Sequence, residues 1–473
     1  MSDTAGAPTT PTVFVLYGAT GDLAKRLVMP GFAALATAGL LPERWLLVGS
    51  GRRSLPDADY RDHVVAGLRE FGKGVSDDVL EEVGAGLRFA GGGFSEEDAG
   101  ELLDVLAAAR EELGGEVQVV HYLALPPSTF EAYTRAIAKH GLAESSRVVY
   151  EKPYGTSPES FEELDELVQS VFDEEQVFRI DHFLGKEATQ QLHVLRFANR
   201  LFEQVWSAEH VAQVQIDVPE TLGVDERAQF YDATGATLDM LVTHMLQVAA
   251  EVALEPPAGS DPTALQEARE SVLAAFRPID PEEVVLGQGV GYRDLDDVED
   301  GSSTDTFVAA RVWVDTDRWH GVPFLLRTGK KLAESHQHVT LVLKEPESGL
   351  HGSGAPETIT FTLSGNGSVW AGVTARRPGI SDDLVPGRLY LDLEDLPNAE
   401  PLPPYAALLR DVLIGDRALF TSSAGLRDAW RVVTPLLQQR PELQPYEPGS
   451  WGPEAAEELA APYGWLTQVG AHR

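Results

Sequence analysis

The segment VFVLYGATGDLAKR, residues 13–26, constrains this chain more than any other stretch. An apolar run, Val13–Leu16, leads into a glycine-bearing turn and then a helical pattern, with Gly18, Gly21 and Ala24 in a G-x-x-G-x-x-A spacing. Glycine in such a turn lets backbone amides approach a pyrophosphate, whose charge then rests on the positive end of the following helix. Thr20, Asp22 and Leu23 complete the loop and share its candidate role in holding a dinucleotide. Read alone, the spacing also describes an ordinary tight turn. The strand before it and the helix after it supply the context the fingerprint requires.

The pattern that follows extends this beginning into a domain. Apolar runs at Val13–Leu16, Trp45–Val48, Val117–Leu125, Val148–Tyr150 and Val177–Ile180 alternate with helical stretches such as Ala24–Ala38 and Glu96–Leu113. Such alternation predicts a parallel sheet with crossover helices. After Asp181 the texture changes. A helical stretch over Lys186–Phe202 precedes a period-2 run at Val211–Val218 and another helix around Leu238–Leu254. Strand-like segments at Phe307–Val314, Val339–Lys344, Glu357–Leu363 and Gly367–Thr374 then predict a mixed or antiparallel sheet. The expected division is a loose tail over 1–12, a nucleotide-binding domain over 13–180 and a second domain over 181–473. Glu255–Thr263 and Pro346–Pro356, rich in Gly, Pro and Ser, read as surface loops.

Composition removes whole classes of chemistry. The chain has no cysteine, which excludes disulfides, thiolate zinc sites, iron–sulfur clusters and thiol nucleophiles. No apolar run reaches the roughly 20 residues of a membrane helix, and the first twelve residues lack the pattern of a secretion signal. A cytoplasmic protein is expected. A formal charge of −37 opposes nucleic acid and anionic lipid as partners, so an anionic ligand needs a local basic site. No ligand spacing supports a catalytic metal ion.

Two arginines supply one such site. The second strand ends in Gly49-Ser50-Gly51-Arg52-Arg53, where folds selective for NAD usually carry an acid for the ribose hydroxyls. Arg52 and Arg53 suit a 2′-phosphate through charge and bidentate hydrogen bonds, which favours NADP; a solvated basic turn is the plainer alternative. Three further strand ends carry polar residues: Ala124–Pro127, Glu151–Gly155 and Arg179–Lys186. The last places Asp181, His182 and Lys186 within six residues, a set suited to a phosphate or a polarised hydroxyl.

From about residue 13 to about residue 435 the chain resembles glucose-6-phosphate dehydrogenase, through GATGDLAKR, LALPP, EKPYG, RIDHFLGKE, VLRFANRLF, GVPFLLRTGK and LLRDVLIGDRALF in family order. The resemblance implies an α/β Rossmann-type dinucleotide-binding domain followed by an α+β domain with a large, mostly antiparallel sheet, and a homodimer or homotetramer. It implies that His244 is the base that takes the proton of the anomeric hydroxyl while hydride leaves C1. Asp181 is then the carboxylate that orients that histidine and stabilises its imidazolium. On composition alone, His244 is a lone histidine in an apolar helix and reads as core. The resemblance further places His182 and Lys186 on the substrate phosphate, Lys152 between sugar and cofactor, and Glu220, Asp239 and Lys330 on the sugar hydroxyls.

The chain also departs from that family. Phe183 stands where a tyrosine hydroxyl is usual, Ser335 where a basic residue is frequent, Ser364 where a glutamine aligns, and Phe130 where a tyrosine lies near the cofactor. Three of these changes surround the substrate, so a relative oxidising another sugar or sugar phosphate is one alternative to glucose 6-phosphate oxidation. A non-catalytic nucleotide-binding scaffold is another, opposed by the retention of Asp181, His244 and Lys152.

Overall fold

The computed structural model describes residues 7–224, 227–259, 261–348, 356–365, 367–380 and 382–466. Its strands, in chain order, are β1 (Thr12–Tyr17), β2 (Trp45–Ser50), β3 (Leu87–Ala90), β4 (Gln118–Leu123), β5 (Ser146–Tyr150), β6 (Val177–Ile180), β7 (Val211–Pro219) and β8 (Val284–Gly289). They continue with β9 (Phe307–Val312), β10 (Phe324–Gly329), β11 (His338–Leu343), β12 (Thr358–Thr362), β13 (Ser368–Arg376), β14 (Leu384–Asp392), β15 (Phe420–Thr421) and β16 (Gln444–Tyr446).

The chain divides into two compact units. The first comprises 1–185, 259–266 and 402–427. Its sheet runs β15-β6-β5-β4-β1-β2-β3, parallel except for β15. The strand order reverses between β1 and β4, the place where open α/β sheets bind ligands at the carboxyl ends of their strands. Residues 402–427 return to this unit because their apolar side chains complete its core. Ala406, Leu408, Leu409, Val412 and Phe420 are buried with Phe14, Phe32, Tyr122 and Phe178. Gly31 and Gly185 allow the close approach: a Cβ on Gly31 would lie 3.0 Å from that of Tyr405, and one on Gly185 would lie 2.8 Å from Leu408 Cγ.

The expected boundary at residue 181 cuts the chain once, whereas these units interleave. Asp181 and His182 therefore lie in the first unit, and Lys186 begins the second. Of the expected tail, residues 1–6 lie outside the described residues, and Thr12 already belongs to β1.

The second unit comprises 186–258, 267–401 and 428–473. Its sheet runs β14-β13-β12-β11-β7-β10-β9-β8-β16. Six of its eight pairings are antiparallel; β7 with β10 and β8 with β16 are parallel. β10 escaped the sequence reading because Arg327 interrupts its apolar run. That guanidinium is fully buried and holds Asp217 of β7 through Nε at 2.8 Å and Nη2 at 2.6 Å, so the charge is neutralised inside the sheet. β14 was obscured by Pro386 and Gly387, which an edge strand tolerates.

The helix expected over Lys186–Phe202 is two helices, Glu187–Ala198 and Arg200–Val205. They break at Asn199, whose side-chain amide donates to Leu195 O at 2.9 Å, and which leaves the helical region at φ −128° and ψ 115°. Of the expected loops, residues 260 and 349–355 lie outside the described residues.

Candidate functional site

At the switch point the glycine loop is shaped by its neighbours. Gly18 sits at φ +75°, and a Cβ there would collide with the carbonyl oxygen of Ala124, in the loop that follows β4. Only glycine satisfies both constraints. The Gly18 and Ala19 amides donate to Ser50 O at the end of β2, at 3.1 and 3.3 Å, and the Gly21 amide donates to Gly18 O at 2.8 Å. Thr20, Gly21 and Asp22 are exposed, and Leu23 is half-buried. Ala24 opens a π-helical turn, Ala24–Val28, that passes into the helix Met29–Thr37. The Asp22 carboxylate accepts from Arg26 Nε at 2.6 Å, so this acid is balanced within its own turn.

Arg52 and Arg53 stand exposed on the turn that follows β2. That turn is braced against the loop after β3. Gly51 donates to Ala90 O at 3.2 Å, Gly93 donates to Gly51 O at 3.0 Å, and the Glu101 carboxylate accepts from the Gly91 amide at 2.8 Å and from Ser54 Oγ at 2.7 Å. These bonds, the Gly91 amide first, hold the Glu101 carboxyl below its ordinary range. Sequence reasoning missed Glu101, because nothing in the local pattern shows that it reaches back ten residues. Burial raises the Tyr133 hydroxyl, and the nearby Arg52 charge opposes that rise. Phe130 is fully buried, edge-on to Tyr150 at 5.4 Å between centroids, and is thus a core residue of this unit.

β5 and β6 are parallel and pair Tyr150 with Arg179, so the residues just beyond them emerge on one edge. Beyond β5 come Glu151 and Lys152; beyond β6 come Asp181 and His182. Glu151 is buried and accepts from the hydroxyls of Tyr122 at 2.6 Å and Tyr405 at 3.3 Å. Burial raises its carboxyl despite those two donors and the Lys152 charge. Asp181 is buried and accepts from the Phe183 amide at 2.8 Å, which turns the chain sharply after β6. Phe183 is buried, with its ring 5.1 Å from that of half-buried His182.

In the second unit the parallel pair β7 and β10 ends in register, Pro219 opposite Gly329. The next residues, Glu220 and Lys330, therefore leave the sheet side by side, and Lys330 Nζ donates to Glu220 Oε1 at 2.6 Å. The Lys330 ammonium also lies 5.5 Å from the centre of the Tyr231 ring. Ser335 Oγ accepts from the Thr221 amide at 2.7 Å and meets the Thr221 hydroxyl at 2.9 Å, so it fixes the turn just after Glu220. Lys186 Nζ donates to Gln337 Oε1 in a short hydrogen bond. Ser364 is exposed on the turn after β12.

Asp239 and His244, both buried, belong to a π-helix, Thr237–Met245. Its i→i+5 hydrogen bonding stacks residues five apart, so these two share a face. On an ordinary α-helix the same spacing would not put them on one stripe. Thr243 Oγ1 donates to Leu238 O at 2.7 Å, five residues back, and reinforces the wide turn. The five proposed residues of the second unit thus fall into three groups: Glu220 with Lys330, Asp239 with His244, and Lys186, which is held by Gln337.

Two family models match the chain. One is described as glucose-6-phosphate dehydrogenase, NAD binding domain, over residues 15–191; the other as glucose-6-phosphate dehydrogenase, C-terminal domain, over residues 193–466. Glucose-6-phosphate 1-dehydrogenase 2 of Mycobacterium tuberculosis is 36% identical, with 95% of this chain and 93% of the relative covered. The cytoplasmic glucose-6-phosphate 1-dehydrogenase 6 of Arabidopsis thaliana is 32% identical, with 96% and 92% covered. Among solved structures, glucose-6-phosphate 1-dehydrogenase from Mycobacterium avium superposes with a TM-score of 0.85 at 31% identity, covering 98% of this chain and 100% of its own. A glucose-6-phosphate dehydrogenase in complex with glucose-6-phosphate gives a TM-score of 0.89 at 28% identity, covering 97% and 99%.

Proposed function

The chain belongs to the glucose-6-phosphate dehydrogenase family, and on that premise we propose that it oxidises the C1 hydroxyl of glucose 6-phosphate to 6-phosphoglucono-lactone with NADP, the first oxidative step of the pentose phosphate pathway. The observation that carries the reading is the sharing of one π-helical face by Asp239 and His244, in the unit where Glu220 and Lys330 leave two parallel strands side by side.

Roles follow from the chemistry of each group. His244 takes the hydroxyl proton as hydride departs from C1, and Asp181 orients the imidazole and offsets the charge it gains. Asp239, Glu220 and Lys330 hold sugar hydroxyls. A carboxylate accepts from a hydroxyl and an ammonium donates to one, so the set fixes which face of the sugar is presented. His182 and Lys186 bind the phosphate, and Lys152 lies between sugar and cofactor. These cations supply local positive charge in a chain of net charge −37.

The nucleotide loop fits a dinucleotide: a side chain is excluded at Gly18, and Thr20, Gly21 and Asp22 are open to solvent. NADP, when bound, supplies the hydride acceptor. Gly18, Thr20, Gly21, Asp22 and Leu23 form the pyrophosphate cradle, with Arg52 and Arg53 on the 2′-phosphate.

Two finer readings accompany this one. The free edge of the second sheet, β14, exposes Leu389 and Tyr390 at 62% each, which fits a homodimer or homotetramer assembled through that sheet. No helix of the described residues is long and apolar enough to cross a membrane, and the Arabidopsis relative is named as cytoplasmic, in keeping with a cytoplasmic enzyme. A second substrate reading has its own support: Phe183 carries no hydroxyl for the phosphate, and Ser335, engaged by Thr221, stands where the family often has a basic substrate contact.

A panel of glucose 6-phosphate, glucose and other hexose phosphates, each with NADP and with NAD, tests these readings. The highest kcat/KM is expected for glucose 6-phosphate with NADP; a higher value for another sugar assigns the substrate to that sugar.

A further inference from the structure

Outside the residues already assigned roles, one buried carboxylate touches the chain segments that carry them. Asp305 precedes β9 and is fully buried. Its Oδ2 accepts from the Thr237 amide at 2.7 Å and from Thr237 Oγ1 at 2.8 Å, and its carbonyl accepts from the Ala236 amide at 2.8 Å. Thr237 is the first residue of the π-helix that carries Asp239 and His244, and Ala236 precedes it. The first amides of any helix lack partners within it, and a negative charge there is favoured by the helix dipole. Arg440 holds Oδ1 in a short hydrogen bond and neutralises the buried charge.

The approach is close enough to need glycine. Gly235 sits at φ +64°, and a Cβ on it would lie 2.7 Å from Asp305 Oδ1 and 3.0 Å from Asp305 O. The next residue, Thr306, faces the other group. Its carbonyl accepts from the Lys330 amide at 2.9 Å, and its hydroxyl meets Tyr446 Oη at 2.8 Å while that hydroxyl donates to Lys330 O, also at 2.8 Å. The dipeptide Asp305-Thr306 therefore grips the start of the π-helix on one side and the backbone of Lys330 on the other.

We propose that Asp305 is a positioning residue. It fixes the register of the helix bearing Asp239 and His244 against the end of β10 that leads into Lys330, beside Glu220 at the end of β7. Loss of this clamp lets the base and the hydroxyl ligands shift independently, and displacements near 1 Å at a reacting centre cost on the order of 100-fold in rate. The inference rests on the roles assigned to His244, Asp239 and Lys330 above.

The test compares the full-length wild type with Asp305→Asn and, as a milder change that leaves the buried ion pair intact, Thr237→Val. Steady-state kinetics use glucose 6-phosphate and its C1-deuterated form, and the titration of His244 is followed by NMR. Expected are a kcat fall of roughly 10- to 100-fold for Asp305→Asn and a few-fold for Thr237→Val, with a larger deuterium isotope effect, a KM for NADP within about 2-fold and a displaced His244 titration. A purely structural role lowers only the folded fraction. Folded variants with wild-type kcat per active site, an unchanged isotope effect and an unmoved His244 titration would overturn the proposal. Should the wild type fail to oxidise glucose 6-phosphate, the substrate reading falls, while the His244 titration still decides whether Asp305 governs that helix.

Discussion

Lys330 Nζ donates to Glu220 Oε1 at 2.6 Å from the first positions beyond two parallel strands that end in register. The pair is half-buried, so each charge depends on the other. On the proposed assignment, Lys330→Met removes a charged donor from the sugar and leaves Glu220 unbalanced. With hydrogen bonds to charged groups contributing about 1.5–3 kcal/mol, the KM for glucose 6-phosphate should rise at least about 10-fold. The KM for NADP should stay within a factor of about two. An unchanged sugar KM in steady-state assays removes Lys330 from the substrate site.

Arg52 and Arg53 are exposed on a turn braced by Glu101, so their replacement leaves the core untouched. In Arg52→Ala/Arg53→Ala the KM for NADP should rise roughly 10- to 100-fold, through lost charge-assisted bonds to the 2′-phosphate, while kinetics with NAD change little. Equal losses with both cofactors would mean that the arginines do not read the 2′-phosphate.

The two histidines His121 and His338 make stability sensitive to acid. His121 is fully buried in the first unit, with Nδ1 3.1 Å from the Tyr17 hydroxyl and Nε2 3.1 Å from Leu142 O, and burial lowers its pKa to about 4. His338, beside His336 in the second unit, is also lowered to about 4, chiefly by burial. An unfolded histidine titrates at about 6.5, so the unfolded chain takes up these protons first. The stabilisation is therefore complete above about pH 6.5 and is lost as the pH falls towards 4. Thermal melts should show Tm dropping across that window, and His121→Gln should flatten the drop. A Tm independent of pH between 4 and 6.5 contradicts this.

Asp411 carries the opposite sign. Burial, and secondarily Asp416, raise its carboxyl to about 7, well above the roughly 3.9 of an unfolded aspartate. The unfolded chain then releases the proton first, so Asp411 costs stability increasingly from about pH 4 to 7, and fully above 7. Asp411→Asn should raise Tm at pH 8 and bring no gain at pH 4. A destabilised variant at pH 8 would show that the ionised form is the favoured one.

What the sequence disclosed was local. The glycine loop, the strand ends with Arg52, Arg53, Lys152, Asp181 and His182, and most strands of the first sheet are contiguous patterns with a direct physical reading. What it hid was either non-local or a matter of helix type. Arg327 masks β10 until Asp217 is seen beside it. The return of residues 402–427 to the first unit is set by where their apolar face docks, which an amphipathic pattern does not specify. Asp239 and His244 are five apart, a spacing that signals nothing on an α-helix and aligns them on a π-helix. Asp305 had no motif, because its partners lie 68 and 135 residues away.

The central claim, oxidation of glucose 6-phosphate by His244, is tested most directly by initial rates of NADPH formation for the wild type and His244→Asn, with glucose 6-phosphate and NADP saturating. Sustained turnover by the wild type is predicted, with a fall of roughly 100- to 10,000-fold in kcat for the variant and little change in either KM. Equal rates in the two proteins would contradict the assignment of the base, and no turnover by the wild type would contradict the reaction itself.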